Sequence, residues 1–249
     1  MEPGEMTVVE TEEVKGIKNC IVGIPDVGLV GVIAAAHLIG TLKAVEAGHI
    51  ESDLLPPVIV IHDGKPKAPI RLYTKGSLAI VTSEVPIQST ALPPLARVLV
   101  QWAKSKGVEN LISLSGIAVQ NRLDIETPEV FGVASSEEAR KTLKAAGIQM
   151  LEEGFMVGPH ALILKECLRN EVSNAVLLAQ AHYQYPDPGA AAAALSALSR
   201  LLGVKIDVES LLEQAEEIRL KTRELMQRTQ RSMQRMEKAQ EQELPPMYA

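Results

Sequence analysis

The last three residues carry groups that could bind a partner through three kinds of contact. Met247, Tyr248 and Ala249 place an apolar side chain, a phenol and the terminal carboxylate next to one another. The Leu-Pro-Pro segment before them cannot continue a helix, because proline lacks an N–H group and its ring clashes with the preceding turn. Residues 244–249 are therefore predicted to form a short extended tail. Such a tail suits a pocket that takes the carboxylate, the ring and the apolar side chain together.

A second candidate is the glycine-rich segment 23–31, Gly-Ile-Pro-Asp-Val-Gly-Leu-Val-Gly. Gly23, Pro25, Gly28 and Gly31 indicate a tight turn between a strand and a helix, where backbones approach closely. The free N–H groups at a helix start attract anions, so this turn is also a candidate phosphate site. It matches neither the dinucleotide fingerprint nor the Walker loop, and Asp26 puts a negative charge where a phosphate would bind. We interpret the segment as a structural turn and keep anion binding as the alternative.

The other polar residues give little sign of catalysis or metal binding. The five histidines show neither an i, i+4 pair on a helix nor the H-E-x-x-H pattern of zinc enzymes. His37 lies on the apolar stripe of a predicted helix, where a hydrogen-bonded core histidine is expected. His62 and Asp63 are adjacent on a strand and would point to opposite faces, which disfavours an acid–base pair. Ser115 follows a strand without the G-x-S-x-G elbow of a nucleophilic serine. We therefore predict no catalytic residue, no metal, no cofactor and no enzymatic activity.

Composition narrows the class of protein further. The chain is 46% hydrophobic but only 3% aromatic, so aliphatic residues and alanine must fill its core, as in helices on a parallel sheet. A net charge of −6 argues against general nucleic-acid binding, which needs clustered lysine and arginine. No apolar run approaches the about 20 residues of a membrane span, and the acidic N-terminus does not resemble a signal peptide. Cys20 and Cys167 match no metal-ligand spacing and are expected to be buried thiols. We expect a cytoplasmic protein without nucleic-acid or membrane partners.

Apolar strands alternate with helical patterns from residue 15 to residue 207, which predicts an α/β domain with a mostly parallel sheet flanked by helices. Residues 1–14 are expected to be flexible. Ser136 and Asp187 are predicted to begin helices as N-caps. Strands are predicted at 18–24, 58–61, 70–73, 78–83, 111–114, 131–134 and 175–179, and helices at 27–45, 91–106, 136–147 and 188–202.

One long, protruding helix is predicted at residues 208–243, because Glu, Gln, Arg, Lys and Leu dominate and residues 209–243 contain neither glycine nor proline. At 1.5 Å per residue, a helix of about 35 residues extends about 50 Å. Spacings of four and three residues form a heptad seam, typical of a coiled coil with a second copy or of a helix packed on its own domain. The seam consists of Leu211, Ala215, Ile218, Thr222, Leu225, Thr229, Met233 and Met236.

Several segments together resemble the proteasome assembly chaperone family. The matching segments are 23–31, 34–39, 52–57, 63–66 and 185–192, and their order and spacing agree over about residues 15–215. The resemblance implies an archaeal protein with a nucleoside-phosphorylase-like α/β core, no established catalytic residues and homo-oligomeric assembly. Asp26 stands where the family commonly has glycine, which puts an anion-binding role of the turn in doubt. Residues 247–249 are similar to the hydrophobic–tyrosine–any-residue tail of proteasome activators.

The resemblance implies that the chain binds α subunits of the proteasome core particle, as assembly chaperone or ATP-independent activator. Met247, Tyr248 and Ala249 would then dock into pockets between α subunits. The protein would be a homo-oligomer, with the tetramer and the pentamer left open. One alternative is a nucleoside- or phosphate-binding or -converting protein that uses the turn at 23–31. Another is an oligomeric scaffold whose tail has no role.

Overall fold

The computed structural model describes residues 5–243, with side chains described as far as Gln234. In chain order its strands and helices are β1 (Met6–Glu10), β2 (Asn19–Gly23), α1 (Val30–Leu42), β3 (Val45–Ser52), β4 (Val60–His62), β5 (Lys65–Lys67), β6 (Ile70–Lys75), β7 (Leu78–Ser83), α2 (Leu92–Ser105), β8 (Asn110–Ala118), β9 (Val130–Ala134), α3 (Glu137–Ala145), β10 (Gln149–Met150), α4 (Pro159–Asn170), β11 (Asn174–Ala181), α5 (Pro188–Leu202), α6 (Glu209–Glu213) and α7 (Ala215–Glu243).

One mixed sheet of nine strands forms the centre of the domain, in the order β1-β3-β6-β7-β2-β8-β11-β9-β10. Its middle strands β7, β2, β8 and β11 are parallel, and β10 is parallel to β9. By contrast, β1, β3 and β6 pair with their neighbours in antiparallel fashion, as does β9 with β11. The predicted α/β fold with helices around a mostly parallel sheet is confirmed. The parallel strands β2, β8 and β11 end at the same edge, which we call the strand-end edge.

Helices cover both faces of the sheet, because alternate residues of each central strand point to opposite faces. On β2, Cys20 and Val22 join the core cluster that contains α2 and α4, while Ile21 joins the cluster that contains α1, α3 and α5. The central strands are therefore buried on both sides, as the continuous apolar runs in the sequence predicted.

Two predicted helix starts are confirmed in atomic detail. Ser136 Oγ accepts a hydrogen bond of 3.1 Å from the backbone N–H of Ala139, which caps α3. Asp187 Oδ1 accepts one of 3.0 Å from the N–H of Ala190, which caps α5. In both cases a side-chain oxygen satisfies an N–H group that the helix itself leaves free.

The first fifth of the chain differs from its prediction at two places. Met6–Glu10 was expected to be flexible, but it forms the edge strand β1, which pairs with β3 and buries the side chain of Met6. The helix predicted at 27–45 ends at Leu42 instead. Lys43 adopts a left-handed conformation (φ 50°) that reverses the chain, so Val45 begins β3. In addition, the predicted strand 58–61 belongs to the small hairpin of β4 and β5, outside the large sheet.

The C-terminal segment contains two helices, because the chain turns at Gln214 between α6 and α7. The predicted seam faces this chain's own domain as far as Met233, and Met236 lies outside the described side chains. Leu211 and Thr229 are buried, while Ile218 and Leu225 pack against the α1–α5 core cluster. The helix therefore lies on the domain as far as its described side chains extend, rather than protruding along its whole length. Its backbone remains helical to Glu243.

Candidate functional site

The glycine-rich turn connects the end of β2 to the start of α1 at the strand-end edge. A Cβ atom on Gly23 would overlap the carbonyl oxygen of Gly31, and one on Gly31 would overlap the carbonyl oxygen of Leu114. These two glycines therefore let α1 lie directly on β2 and β8. Gly28 has φ 61°, a left-handed conformation that glycine adopts without strain, and its carbonyl accepts a hydrogen bond of 2.9 Å from Asp187 N–H.

Asp26 occupies the place in this turn where a phosphate would be expected. Its carboxyl group is buried and accepts a hydrogen bond of 2.6 Å from Ser115 Oγ at the end of β8. Burial raises the pKa of Asp26 to about 6, although hydrogen bonds from Ser115 and the backbone of Val27 partly oppose the shift. A second buried anion beside this carboxylate would be repelled, so the geometry disfavours phosphate binding here.

His160 brings a further buried polar group to the same edge. It lies in the first turn of α4, directly after Pro159, and its side chain is 1% exposed. Burial lowers the pKa of His160 to about 4, against a smaller opposing effect of the Ile24 backbone. Neither ring nitrogen has a protein group in hydrogen-bonding geometry, and the same holds for the hydroxyl of Ser113. Asp26, Ser115 and His160 therefore do not form a catalytic triad, because such a triad requires the histidine to bridge the aspartate and the serine by hydrogen bonds.

An ion pair closes the neighbouring part of the strand-end edge. Arg122, in the loop after β8, contacts Asp187 through Nε at 2.7 Å and through Nη2 at 3.0 Å, and both side chains are largely buried. Asp187 Oδ2 also accepts a hydrogen bond of 3.1 Å from the N–H of His182. One carboxylate thus caps α5 and ties the loops after β8 and β11 together. Sequence reasoning identified Asp187 as a cap but missed Arg122, which lies 65 residues away and has no local signal.

Helix α7 covers the turn from outside. Thr229, Ser232 and Met233 of α7 lie over a surface that we call the strand-end groove. The cavity between α7 and this groove has a volume of about 10 Å³, which is room for one water molecule. Thr229 Oγ1 is buried without a hydrogen-bond partner, and Ser232 Oγ donates a long hydrogen bond of 3.4 Å to the carbonyl of Ile87. The strand-end groove is lined by Pro25, Asp26, Pro86, Ile87, Leu92 and Pro159.

The remaining polar residues singled out in the sequence have structural partners. His62 contacts Glu84 at 2.9 Å and Arg71 at 3.1 Å, so it does not pair with Asp63. His37 was expected in the core, but it is only partly buried and contacts the carbonyl of Asp207 at 2.6 Å. Residue 37 lies on the flank of the buried stripe of α1, where the connection after α5 leaves the ring partly open to solvent.

The described part of the chain has two buried thiols, and it shows neither a cluster of metal ligands nor a helix that could span a membrane. Cys20 and Cys167 are free and buried, as predicted, and burial raises the pKa of each thiol to about 12. Among the described side chains, residues 5–234, no group of three or more His, Cys, Asp or Glu is placed to hold a metal ion. Over residues 5–243, every helix is too short or too polar to cross a bilayer. Met247, Tyr248 and Ala249 lie outside the described residues.

Comparison with known proteins agrees with the resemblance seen in the sequence. The chain is 30% identical over 222 residues to an uncharacterized protein of Methanocaldococcus jannaschii, covering 88% of this chain and 90% of that protein. The crystal structure of Pyrococcus furiosus PbaA, an archaeal homologue of proteasome-assembly chaperone, matches with a TM-score of 0.86 and 32% identity, over 92% of this chain and 99% of PbaA. The structure of Pyrococcus furiosus PbaB, an archaeal proteasome activator, matches with a TM-score of 0.75 and 25% identity, over 89% and 99% of the two chains.

The PAC2 family profile matches residues 20–226, which include the ends of β2, β8 and β11, most of both cores and α7 as far as Met226. The similarity to proteasome assembly chaperones that the sequence motifs suggested is thereby confirmed, and this chain belongs to the PAC2 family.

Proposed function

We propose that this protein is a proteasome-binding protein that acts by docking rather than by catalysis. The main support is its similarity to PbaA and PbaB over about nine-tenths of the chain, since one is a homologue of an assembly chaperone and the other an activator. The strand-end edge is consistent with a non-enzymatic role. Its cavity of about 10 Å³ is far smaller than the about 300 Å³ or more of a typical ligand pocket, so the nucleoside-binding alternative has less support.

The docking element in this proposal is the C-terminal tail. The carboxylate of Ala249 pairs with a basic group, such as a lysine, in a pocket between α subunits of the core particle. The ring of Tyr248 packs on the pocket wall and its hydroxyl makes a directional hydrogen bond. The flexible thioether of Met247 fills an apolar recess. The backbone of α7 continues for ten residues past Met233, or about 15 Å, before the tail begins.

Self-association is part of the proposed mechanism. A contact of three residues buries little surface, so a single tail would bind weakly. Several tails on one homo-oligomer, tetrameric or pentameric, raise the effective concentration of each remaining tail once the first has docked. We place the complex in the cytoplasm. Docked tails either open the entrance of the core particle or hold α subunits together during assembly.

The first experiment measures peptide hydrolysis by an archaeal proteasome core particle with the full-length protein and with a variant that lacks residues 247–249. We expect the full-length protein to stimulate hydrolysis and the truncated variant to lose the effect, while light scattering gives the same oligomer for both. The double substitution M247Y/Y248M keeps the composition and length of the tail, so its loss of activity would show that residue order matters. Equal stimulation by all three proteins would refute docking by the tail.

The two forms of the proposal are separated by a second measurement. An activator stimulates the assembled core particle, whereas an assembly chaperone co-elutes with free α subunits and speeds their incorporation. Absence of both effects would overturn the proposed function itself.

A further inference from the structure

Helix α7 is attached to the domain by two contacts of different quality. Its first part is held by apolar packing, since Ile218, Leu225 and the buried Met226 belong to the core cluster of α1 and α5. Its second contact is the latch segment, residues 229–233, which lies over the strand-end groove. The two contacts are adjacent along the helix but differ in chemistry.

The latch segment has poor polar complementarity to the surface below it. Thr229 is 2% exposed, yet no protein group lies in hydrogen-bonding geometry to its hydroxyl. Ser232 contributes only the 3.4 Å hydrogen bond to Ile87, and the cavity between Thr229 and Asp26 has room for one water molecule. Buried polar groups without partners oppose the closed position, because they recover hydrogen bonds with water when the helix lifts away.

The groove itself is suited to a helix that carries small side chains. Five of its six lining residues are apolar, and three of these are prolines that present rigid, hydrocarbon-rich surface. Asp26 is the exception. Lifting of α7 would expose this surface and hydrate the Asp26 carboxyl group.

We propose that residues 229–233 form a releasable latch, which closes the strand-end groove with the chain's own helix and opens without unfolding the domain. In the open state α7 remains anchored through Met226, and everything beyond it can change direction. Under the function proposed above, on which this consequence rests, several tails must reach separate pockets at once. A closed latch gives each tail a single direction, whereas an open latch lets each tail adjust.

The charged groups around the latch make its stability depend on pH. The described lining residues contributed by α7 and by residues 86–92 have no titratable side chain, and Ser115 on β8 is a neutral donor. At the same edge, burial lowers the pKa of His160 on α4 and keeps it neutral at and above pH 6, while the carboxylate of Asp187 is engaged in its ion pair with Arg122. The raised pKa of Asp26 then makes the closed latch weaker as pH rises through about 6, because the ionised carboxylate is better hydrated in the open state.

Hydrogen exchange tests the opening without any proteasome. Thr229→Val removes the unpartnered hydroxyl while it keeps the shape of the side chain, so we expect amide exchange across 227–233 to slow by about tenfold. Thr222→Val is the matched control. The Thr222 hydroxyl already donates a hydrogen bond of 2.7 Å to the carbonyl of Ile218, so this change should not slow exchange at 227–233. The same rates for both valine variants, or wild-type exchange at 227–233 as slow as global unfolding, would refute the latch.

A disulfide tests the consequence for docking. Ile87→Cys with Ser232→Cys places one thiol on each side of the latch, because both residues line the same cavity and Ser232 contacts the Ile87 carbonyl, while both native cysteines are buried. We expect the oxidised form to stimulate the core particle several-fold less than its reduced form. Equal stimulation by the oxidised and reduced forms would overturn the role of opening in docking. If the wild-type protein neither stimulates nor binds the core particle, the proposed function fails, and the exchange experiment still decides whether the latch opens.

Discussion

Replacing Asp26 by asparagine should stabilise the protein at neutral pH and leave its stability in acid unchanged. Burial raises the pKa of Asp26 from 3.8 to about 6, so the folded protein holds this proton to a higher pH than the unfolded chain does. The contribution of Asp26 to stability is therefore fully present below pH 3.8. It is lost as pH rises through about 6, because folding then requires burial of a carboxylate.

The size of the effect follows from the difference in pKa. A shift of about 2 pH units corresponds to about 3 kcal/mol, at about 1.4 kcal/mol per unit. Asparagine cannot ionise, and its amide oxygen can still accept the hydrogen bond from Ser115 Oγ. The variant should therefore gain up to about 3 kcal/mol in free energy of unfolding at about pH 8, and nothing at about pH 3.

The diagnostic quantity is the difference between variant and wild type at each pH. His160 titrates in the opposite sense over an overlapping range, because its pKa is lowered from 6.5 to about 4. Its contribution is fully present above pH 6.5 and is lost as pH falls toward about 4, so it masks the effect of Asp26 in the wild-type curve alone. Subtracting the two curves removes the contribution of His160.

Urea unfolding followed by the fluorescence of Trp102, the single tryptophan, would measure both curves from about pH 3 to about pH 8. Asp124→Asn is the matched control, since Asp124 is an exposed aspartate in the loop after β8 and its substitution leaves the buried carboxyl group of Asp26 in place. A flat difference for Asp26→Asn, or one that falls with rising pH, would refute the reasoning from burial.

Three further outcomes follow from the same edge and from the core. Gly31→Ala should destabilise the fold by about 3 kcal/mol or more, because the new Cβ overlaps the carbonyl of Leu114. Gly40→Ala is the control in the same helix. Its new Cβ has open space, so a thermal melt should show a neutral or slightly stabilising effect. Asp187→Ala should cost about 3–5 kcal/mol in free energy of unfolding, because it leaves Arg122 buried without its partner and removes a helix cap. Both native thiols should react with a thiol reagent only after unfolding, and rapid labelling of the folded protein would contradict their burial.

Local sequence signals predicted the parts of the fold whose causes are local. The caps at Ser136 and Asp187 depend on a side chain and an N–H group three residues apart, so a short pattern is sufficient to identify them. The buried central strands could be predicted because both of their faces are apolar. The edge strand β1 could not, since its Val8 and Val9 are only partly buried and its pairing with β3 joins residues 38 to 46 positions apart.

The candidate site was only partly predictable for the same physical reason. The glycines of segment 23–31 indicate a tight turn from sequence alone. The hydrogen-bond partner of Asp26 could not be found in this way, because Ser115 lies 89 residues away. The heptad seam indicated that one side of α7 is buried without showing which surface covers it. Thr229 is a polar residue in this seam, and the structure accounts for it, because Thr229 faces the strand-end groove rather than an apolar partner helix.

The position of α7 explains how an α/β sheet of this kind can serve a binding role. Open sheets with parallel strands commonly bind ligands where the strands end, because loops and helix starts converge there. In this chain Asp26 disfavours an anion at that place, and the latch segment leaves only the volume of about one water molecule. The chain's own helix α7 therefore occupies the place where such sheets commonly bind a ligand. Under the function proposed above, the position of α7 is then the variable on which docking depends.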